Sequence, residues 1–454
     1  MGSTWEEKQP INLHWGKPAP ALLPTQELAV AAQKVFSDPS ISVVGLQYGE
    51  SPGYQPLRKQ LSSWLSEFYG GLDNPDQICI TGGASQGMAS ILQVFTDPLA
   101  TKAVWMVAPC FYLACRIFEE AGFTGKLKAV DEGDEGIVDL DFLEREMAIV
   151  DSQESTTLAL NRLKTAKPDD PSRKTYSHII YVVPTFNNPS GKTMSLTSRQ
   201  GLVQIARKHN ALIISDDIYD MLQWPSSPAS TSSSRNAPLS RLVDIDRSLP
   251  PLASDPHHFG HALSNGSFSK IIAPGVRTGW VDASPSLAIA LSTCGSTLAG
   301  GCPSGLMATI IAHLMHGGFL QAHVSETLIP AYRRRRKLMV DAIERHLEPV
   351  GVVLTRISSA EEYFVGGYFL WMKLPDGVKS SEVGKMAKEE ENLIVSPGVT
   401  FGVVGDTKKG DFEQFLRLSF SYDDEANLVE GTVRLARVIR RLLKLDTHVF
   451  KGSS

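Results

Sequence analysis

From residue 78 to residue 280, short apolar runs end one after another in small or polar residues, with amphipathic segments between them. Ile78–Thr81 runs into Gly82-Gly83-Ala84-Ser85-Gln86-Gly87, Ala103–Ala108 into Pro109-Cys110-Phe111-Tyr112, and His178–Val183 into Pro184-Thr185-Phe186-Asn187-Asn188-Pro189-Ser190-Gly191. Ala211–Ser215 runs into Asp216-Asp217-Ile218-Tyr219, and a fifth turn follows at Ser267-Phe268-Ser269-Lys270. β-Rich runs alternating with helices predict an α/β fold, a mostly parallel central sheet flanked by helices. Ligands in such sheets bind at the strand C-terminal ends, and all five turns fall there.

Lys270 carries the most chemistry. Its amine can form a Schiff base with an aldehyde, and Arg277, past Pro274-Gly275, can hold a phosphate in a planar fork of donors. An aldehyde and a phosphate on one small molecule describe pyridoxal 5'-phosphate; the plainer reading is a turn with two solvated cations. The small-residue turn after Thr81, followed by a helix, offers unpaired N–H groups to an anion. Its glycines match neither the Walker A pattern nor a dinucleotide fingerprint. A carboxylate after Ser215 can keep a pyridine nitrogen protonated and make the ring an electron sink. Asp216 and Asp217 compete for that place, and a helix-capping pair is the bland alternative. Asn188 can donate to a phenolate or simply shape its turn. Arg417, a cation inside the apolar run Phe415–Phe420, calls for a carboxylate from a ligand or from the protein itself.

Taken in order, these motifs resemble the class I/II aminotransferases, fold-type I pyridoxal-phosphate enzymes, in their aminoadipate/kynurenine/aromatic branch. The likeness includes the Gly16–Pro18 arm and the segment Tyr48-Gly49 to Leu57-Arg58. It implies a large cofactor-binding domain and a smaller α+β domain. It places Gly83, Ala84, Ser85, Ser267 and Arg277 around the cofactor phosphate, with Lys270 as the Schiff-base lysine and base at Cα. Phe111 stands where the family usually has a tyrosine, which keeps a stacking face and loses a hydroxyl. Asn188 and Tyr219 are assigned to the 3'-oxygen, Asp216 to the ring nitrogen, and Arg417, with Gly16 and Asn188, to the substrate. Tyr48 reaches the phosphate of a neighbouring subunit, which implies a homodimer. The implied reaction is a ping-pong transfer of an amino group between an amino acid and a 2-oxo acid. A lyase or side-chain replacement enzyme, as in the aminocyclopropane-carboxylate synthases, would use the same residues. A ligand-sensing transcription regulator with such a domain is disfavoured, because the chain starts directly with the arm.

The chain has 454 residues, too many for one simple core. The expected division is an arm with part of the small domain at 1–45, the large domain at 46–310 and the small domain at 311–454. A net charge of −5 argues against nucleic acid as a partner. Arg333-Arg334-Arg335-Arg336-Lys337 reads as a solvated helix face. Cys79, Cys110, Cys115, Cys294 and Cys302, odd in number and without paired spacing, suggest free thiols in a reducing compartment. Neither the N-terminal Thr4-Trp5-Glu6-Glu7-Lys8 nor the C-terminal Lys451-Gly452-Ser453-Ser454 reads as a targeting signal, and no apolar run spans a membrane, so the expected place is the cytoplasm. His257-His258 lacks the spacing of a zinc pair, so no metal is expected. Trp15, Leu22 and Tyr112 could line a pocket for aromatic or long aliphatic side chains. Residues 140–150 read as one helix, 151–177 as a loose insertion, and 225–263 as a mobile surface insertion.

Overall fold

A computed structural model describes residues 8–133, 136–161, 167, 170, 172–226, 237, 239–355, 364–406 and 411–445. Its centre is a seven-stranded sheet of β1 (Ile78–Thr81), β2 (Ala103–Ala108), β3 (Leu127–Asp131), β4 (His178–Val182), β5 (Ala211–Asp216), β6 (Ala262–Ser267) and β7 (Gly279–Asp282), ordered β1-β7-β6-β5-β4-β2-β3. β7 runs antiparallel to both its neighbours, and every other pairing is parallel. Because β7 reverses between β1 and β6, the C-terminal ends of β1, β2, β4, β5 and β6 share one edge.

Strand periodicity explains why both faces are covered. Val104, Met106, Ile179, Tyr181, Leu212 and Ile214 point to one face, where Met88, Ile91 and Phe95 of α4 (Ala84–Phe95) join them. Trp105, Val107, Ile180, Val182 and Ile213 point to the other. There they meet Leu143 and Met147 of α6 (Leu140–Asn161), Leu202 and Val203 of α7 (Leu196–Lys208) and Leu242 and Val243 of α8 (Leu242–Ser248). Each fully buried side chain of this size contributes about 1.5–3 kcal/mol, so a charge at Ile213 would undo the second layer.

A second, fully antiparallel sheet is built from β8 (Val353–Leu354), β9 (Phe369–Lys373), β10 (Ser396–Pro397) and β11 (Phe415–Ser419), ordered β8-β9-β11-β10. Beside it, α11 (Ile329–His346) and α12 (Ser380–Glu391) pack on α13 (Glu425–Leu442). The N-terminal arm joins this part of the chain. Ile11–Asn12 pairs in parallel with Leu393–Ile394, and Ser419 N donates to Leu13 O at 2.7 Å. The arm therefore leaves the small sheet aimed at the C-terminal edge of the large one. Two helices, α1 (Thr25–Ser37) and α3 (Gln55–Tyr69), follow it.

Three expectations need correction. Residues 225–263 are not merely a surface insertion: Leu242, Val243 and Ile245 of α8 are buried, and Arg241 beneath them pairs with Asp282 at 2.8 Å. The helix is only seven residues long and sits among serines and prolines, which hides its amphipathic pattern. Ser232–Ser234 of that segment lie outside the described residues, as do Thr4–Glu7, Arg356 and Lys451–Ser454. The helix from Leu140 continues to Asn161 rather than stopping at Val150. In the basic run, Arg335 is buried and donates from Nε to Phe420 O at 2.8 Å, because one face of α11 must turn inward.

Candidate active site

Where the arm, the small sheet and the strand ends of the large sheet meet, they enclose a cavity of about 260 Å³. Gly16, Phe111, Asn188, Asp216, Tyr219, Lys270 and Arg417 all line it. These residues are scattered over four hundred positions of sequence, and the shared strand edge brings them together.

Lys270 lies just past the end of β6. Its Nζ donates to Gly16 O at 2.7 Å and sits 5.7 Å from the Tyr219 ring centre and 5.4 Å from that of Tyr368. The Tyr368 hydroxyl donates to the Lys270 carbonyl at 3.1 Å. Desolvation lowers the amine's pKa to about 8, with the Asp216 carboxylate opposing that shift and Arg417 adding to it.

Asp216 closes β5. Its Oδ2 accepts from the Tyr181 hydroxyl at 3.0 Å and its Oδ1 from Asn265 Nδ2 at 3.3 Å, while burial pushes its pKa up to about 7. Asp217 does not line the cavity: strand alternation turns it the other way, onto the hydroxyls of Ser215 (2.6 Å) and Ser264 (2.5 Å). Geometry thus separates the two aspartates that sequence left in competition.

Arg417 rises from β11 between two aromatic faces, 4.1 Å from the Phe369 ring centre and 4.8 Å from that of Phe401. Nη1 donates to Asn188 Oδ1 at 2.6 Å, and Nη2 donates to His14 O at 2.6 Å and Ser396 Oγ at 2.9 Å. Nε is buried without a partner, and none of the guanidinium's bonds among the described residues goes to a carboxylate. Desolvation lowers its pKa to about 10. A buried guanidinium held only by neutral acceptors is poised for an anion.

The remaining candidates cluster at the neighbouring turn. α4 starts at Ala84, immediately after Gly83, whose φ of +96° suits glycine. A Cβ on Gly83 would lie 2.9 Å from Arg277 Nη2, which itself donates to Gly82 O at 3.0 Å. Arg277, in the left-handed region at φ +45°, therefore holds its fork over the first turn of α4, where Ser85 is exposed. Ser267 Oγ accepts from Ser269 N at 3.2 Å just before Lys270. Tyr48 is 84% exposed and does not line its own chain's cavity. Trp15 and Tyr112 line the cavity as expected; Leu22 instead packs against the core.

Sequence reasoning missed Tyr181, Asn265, Tyr368 and Phe369, which read as ordinary strand or turn residues, and His14. The one available signal was a polar amide at Asn265 inside an otherwise small-residue strand.

The family described as aminotransferase class I and II matches residues 10–432. An uncharacterized protein of Saccharomyces cerevisiae is 30% identical, the match covering 93% of this chain and 95% of that one. Aromatic-amino-acid aminotransferase 1 of Thermococcus litoralis is 27% identical over 97% of this chain and 90% of its own. Among solved structures, the Pyrococcus horikoshii kynurenine aminotransferase in complex with PMP superimposes with a TM-score of 0.74 at 27% identity, covering 97% of this chain and 93% of that one.

Proposed function

The chain belongs to the class I and II aminotransferases and is a pyridoxal-phosphate-dependent transaminase, and we propose that Lys270 is its Schiff-base lysine and Arg417 its receptor for the substrate carboxylate. One observation carries the second half: a buried guanidinium with an unpartnered Nε faces the same cavity as Lys270 and Asp216. The relatives favour transamination over a lyase or replacement reaction.

The residues fit the cofactor. Lys270 offers an amine with a pKa near 8, Gly83 leaves out the side-chain carbon that would crowd Arg277, and Asp216 is an acid enclosed at the cavity wall. Arg277, Ser267 and the start of α4 at Gly83, Ala84 and Ser85 would hold the phosphate. Phe111 would stack on the ring, Asn188 and Tyr219 would bond the 3'-oxygen, and Asp216 would bond the ring nitrogen. When bound, pyridoxal phosphate supplies an aldehyde for amines and a ring that accepts an electron pair.

This chain's own part is then to bind, orient and move protons. Arg417 grips the α-carboxylate through its planar fork while Phe369 and Phe401 keep the guanidinium from water. Lys270 Nζ, near neutrality, takes the proton from Cα and later returns one. Asp216 holds a proton at the ring nitrogen, steadied by Tyr181. Gly16 O, now bonded to Lys270 Nζ, marks how closely the arm covers the site.

The donor we favour is an aromatic or long aliphatic amino acid, since Trp15, Phe111, Tyr112 and Phe369 line the cavity. We further propose a homodimer, because Tyr48, 84% exposed and outside its own chain's cavity, is available to a neighbouring site. The proposed division is 1–45, 46–310 and 311–454, supported by a small sheet that lies within 353–419. Five free cysteines favour a reducing compartment such as the cytoplasm, and the transaminase reaction favours a role in amino acid metabolism or biosynthesis. Among the described residues no helix is long and apolar enough to cross a membrane.

The test is to reduce the cofactor-loaded protein with borohydride and sequence the labelled peptide by mass spectrometry. We expect the label on Lys270 and none in Lys270→Ala; a label on another lysine overturns the assignment. Single amino acids added without an acceptor should each yield at most one 2-oxo acid per site, and those that react identify the donor.

A further inference from the structure

Glu132, just past the end of β3, takes no part in the sequence reading and does not line the cavity. It is nevertheless 5% exposed, the kind of burial a carboxylate tolerates only with partners. Its backbone N donates to Ala108 O at 2.9 Å, which extends the pairing of β3 with β2. Its Oε1 accepts from Asn187 Nδ2 at 2.8 Å and from Ser190 Oγ at 2.9 Å, two residues that bracket Asn188. The same Asn187 amide donates to Pro109 O at 3.1 Å, on the turn that leads to Phe111. Oε2 faces Lys192 Nζ at 3.9 Å, and burial still pushes the pKa up to about 7. Glu132 Oε1 thus holds the turn after β4, and the Asn187 amide that it anchors ties that turn to the one after β2. Those turns present Phe111 and Asn188 to the cavity.

We infer that Glu132 is a positioning residue that fixes the Asn187–Ser190 turn, and through Asn188 sets how Arg417 receives the substrate carboxylate; this rests on the role proposed above for Arg417. The link is short. Asn188 Oδ1 accepts from Arg417 Nη1 at 2.6 Å, and Asn187 just before it and Ser190 two positions after it have their side chains anchored on Glu132. Removing the carboxylate leaves two buried donors without their acceptor, which the turn can satisfy only by moving. Glutamine keeps a carbonyl oxygen at the same reach and can accept both bonds.

The test compares Glu132→Ala, Glu132→Gln and Ser190→Ala in the cofactor-loaded enzyme. Each is measured by steady-state kinetics and by the dissociation constant of 3-phenylpropionate, a carboxylate with no amino group to react. In Glu132→Ala we expect KM and that dissociation constant to rise together by about tenfold, with kcat changing less. Glu132→Gln should return both to within about threefold of the parent, and Ser190→Ala, which deletes one bond, should fall between them. Unchanged constants in Glu132→Ala overturn the inference, and so does a fall in kcat with carboxylate affinity preserved. If Glu132→Ala does not fold, Ser190→Ala decides: carboxylate affinity equal to the parent's overturns it. The borohydride label keeps the two ideas apart, since a parent enzyme labelled at Lys270 but indifferent to Glu132 sinks only this inference.

Discussion

Arg417 Nη1 and Asn188 Oδ1, 229 positions apart in sequence, meet at 2.6 Å, and their bond joins the small sheet to the turn after β4. It holds the guanidinium flat between Phe369 and Phe401, leaving Nε without a partner. Arg417→Lys keeps a charge but loses the fork. We expect KM for both the amino acid and the 2-oxo acid to rise about 100-fold or more, a loss in the range of about 2–5 kcal/mol for a buried charge pair, with a smaller change in kcat. Initial rates with both substrates check this.

The pH dependence follows from Lys270. Only the neutral amine attacks an aldehyde, and a pKa lowered to about 8 means that the reactive fraction grows as pH rises through that value. Capture of pyridoxal phosphate by the cofactor-free protein should therefore accelerate from pH 7 to 9 and level off above. Asp216, with a pKa near 7, becomes ionised across the lower part of that window, and its carboxylate holds the lysine's pKa up. Asp216→Asn should move the midpoint downward. Stopped-flow absorbance across pH measures both, and an unmoved midpoint counts against the coupling.

Gly83→Ala places a carbon 2.9 Å from Arg277 Nη2 at a backbone angle that L-residues resist. We expect cofactor affinity to fall by about tenfold while the protein still folds, since Arg277 can swing away. Equilibrium dialysis of the two proteins decides it.

How much of this was legible in the sequence depended on where each residue's neighbours come from. Asp216, Asn188 and the Gly82–Gly87 turn announce themselves because each comes after an apolar run, and strand ends are where a parallel sheet exposes its groups. Lys270 announces itself by an amine and a guanidinium on either side of Pro274-Gly275. Glu132 sits in Asp131-Glu132-Gly133, which looks like any polar loop; only the fold reveals that the chain buries it beneath Asn187. Tyr181 occupies an inward strand position and reads as core, although its hydroxyl reaches Asp216. The bond from Lys270 to Gly16 runs to a backbone carbonyl, which no side-chain pattern can signal. Seven residues of α8 were too few for their period to stand out.

If Tyr48 completes a neighbour's site, then Lys270→Ala and Tyr48→Ala chains, each poorly active alone, should rescue one another when mixed and reassociated. Half the sites in each mixed dimer would be intact, so statistical mixing restores roughly a quarter of the parent's activity. Absence of rescue in a verified mixed dimer would place Tyr48 in its own chain's site or in none.

Lys270 and Arg277 lie on a single connection, residues 268–278 between the adjacent antiparallel strands β6 and β7, whereas Arg417 belongs to the other sheet. In the proposed roles, one hairpin holds the cofactor at both its aldehyde and its phosphate, and the substrate is held across a seam. A small parting of the two sheets would break the Arg417–Asn188 and Lys270–Gly16 contacts and leave that hairpin untouched. Two half-reactions need a product to leave and a second acid to enter while the cofactor stays, and in the proposed roles such a parting would loosen the grip on the substrate alone.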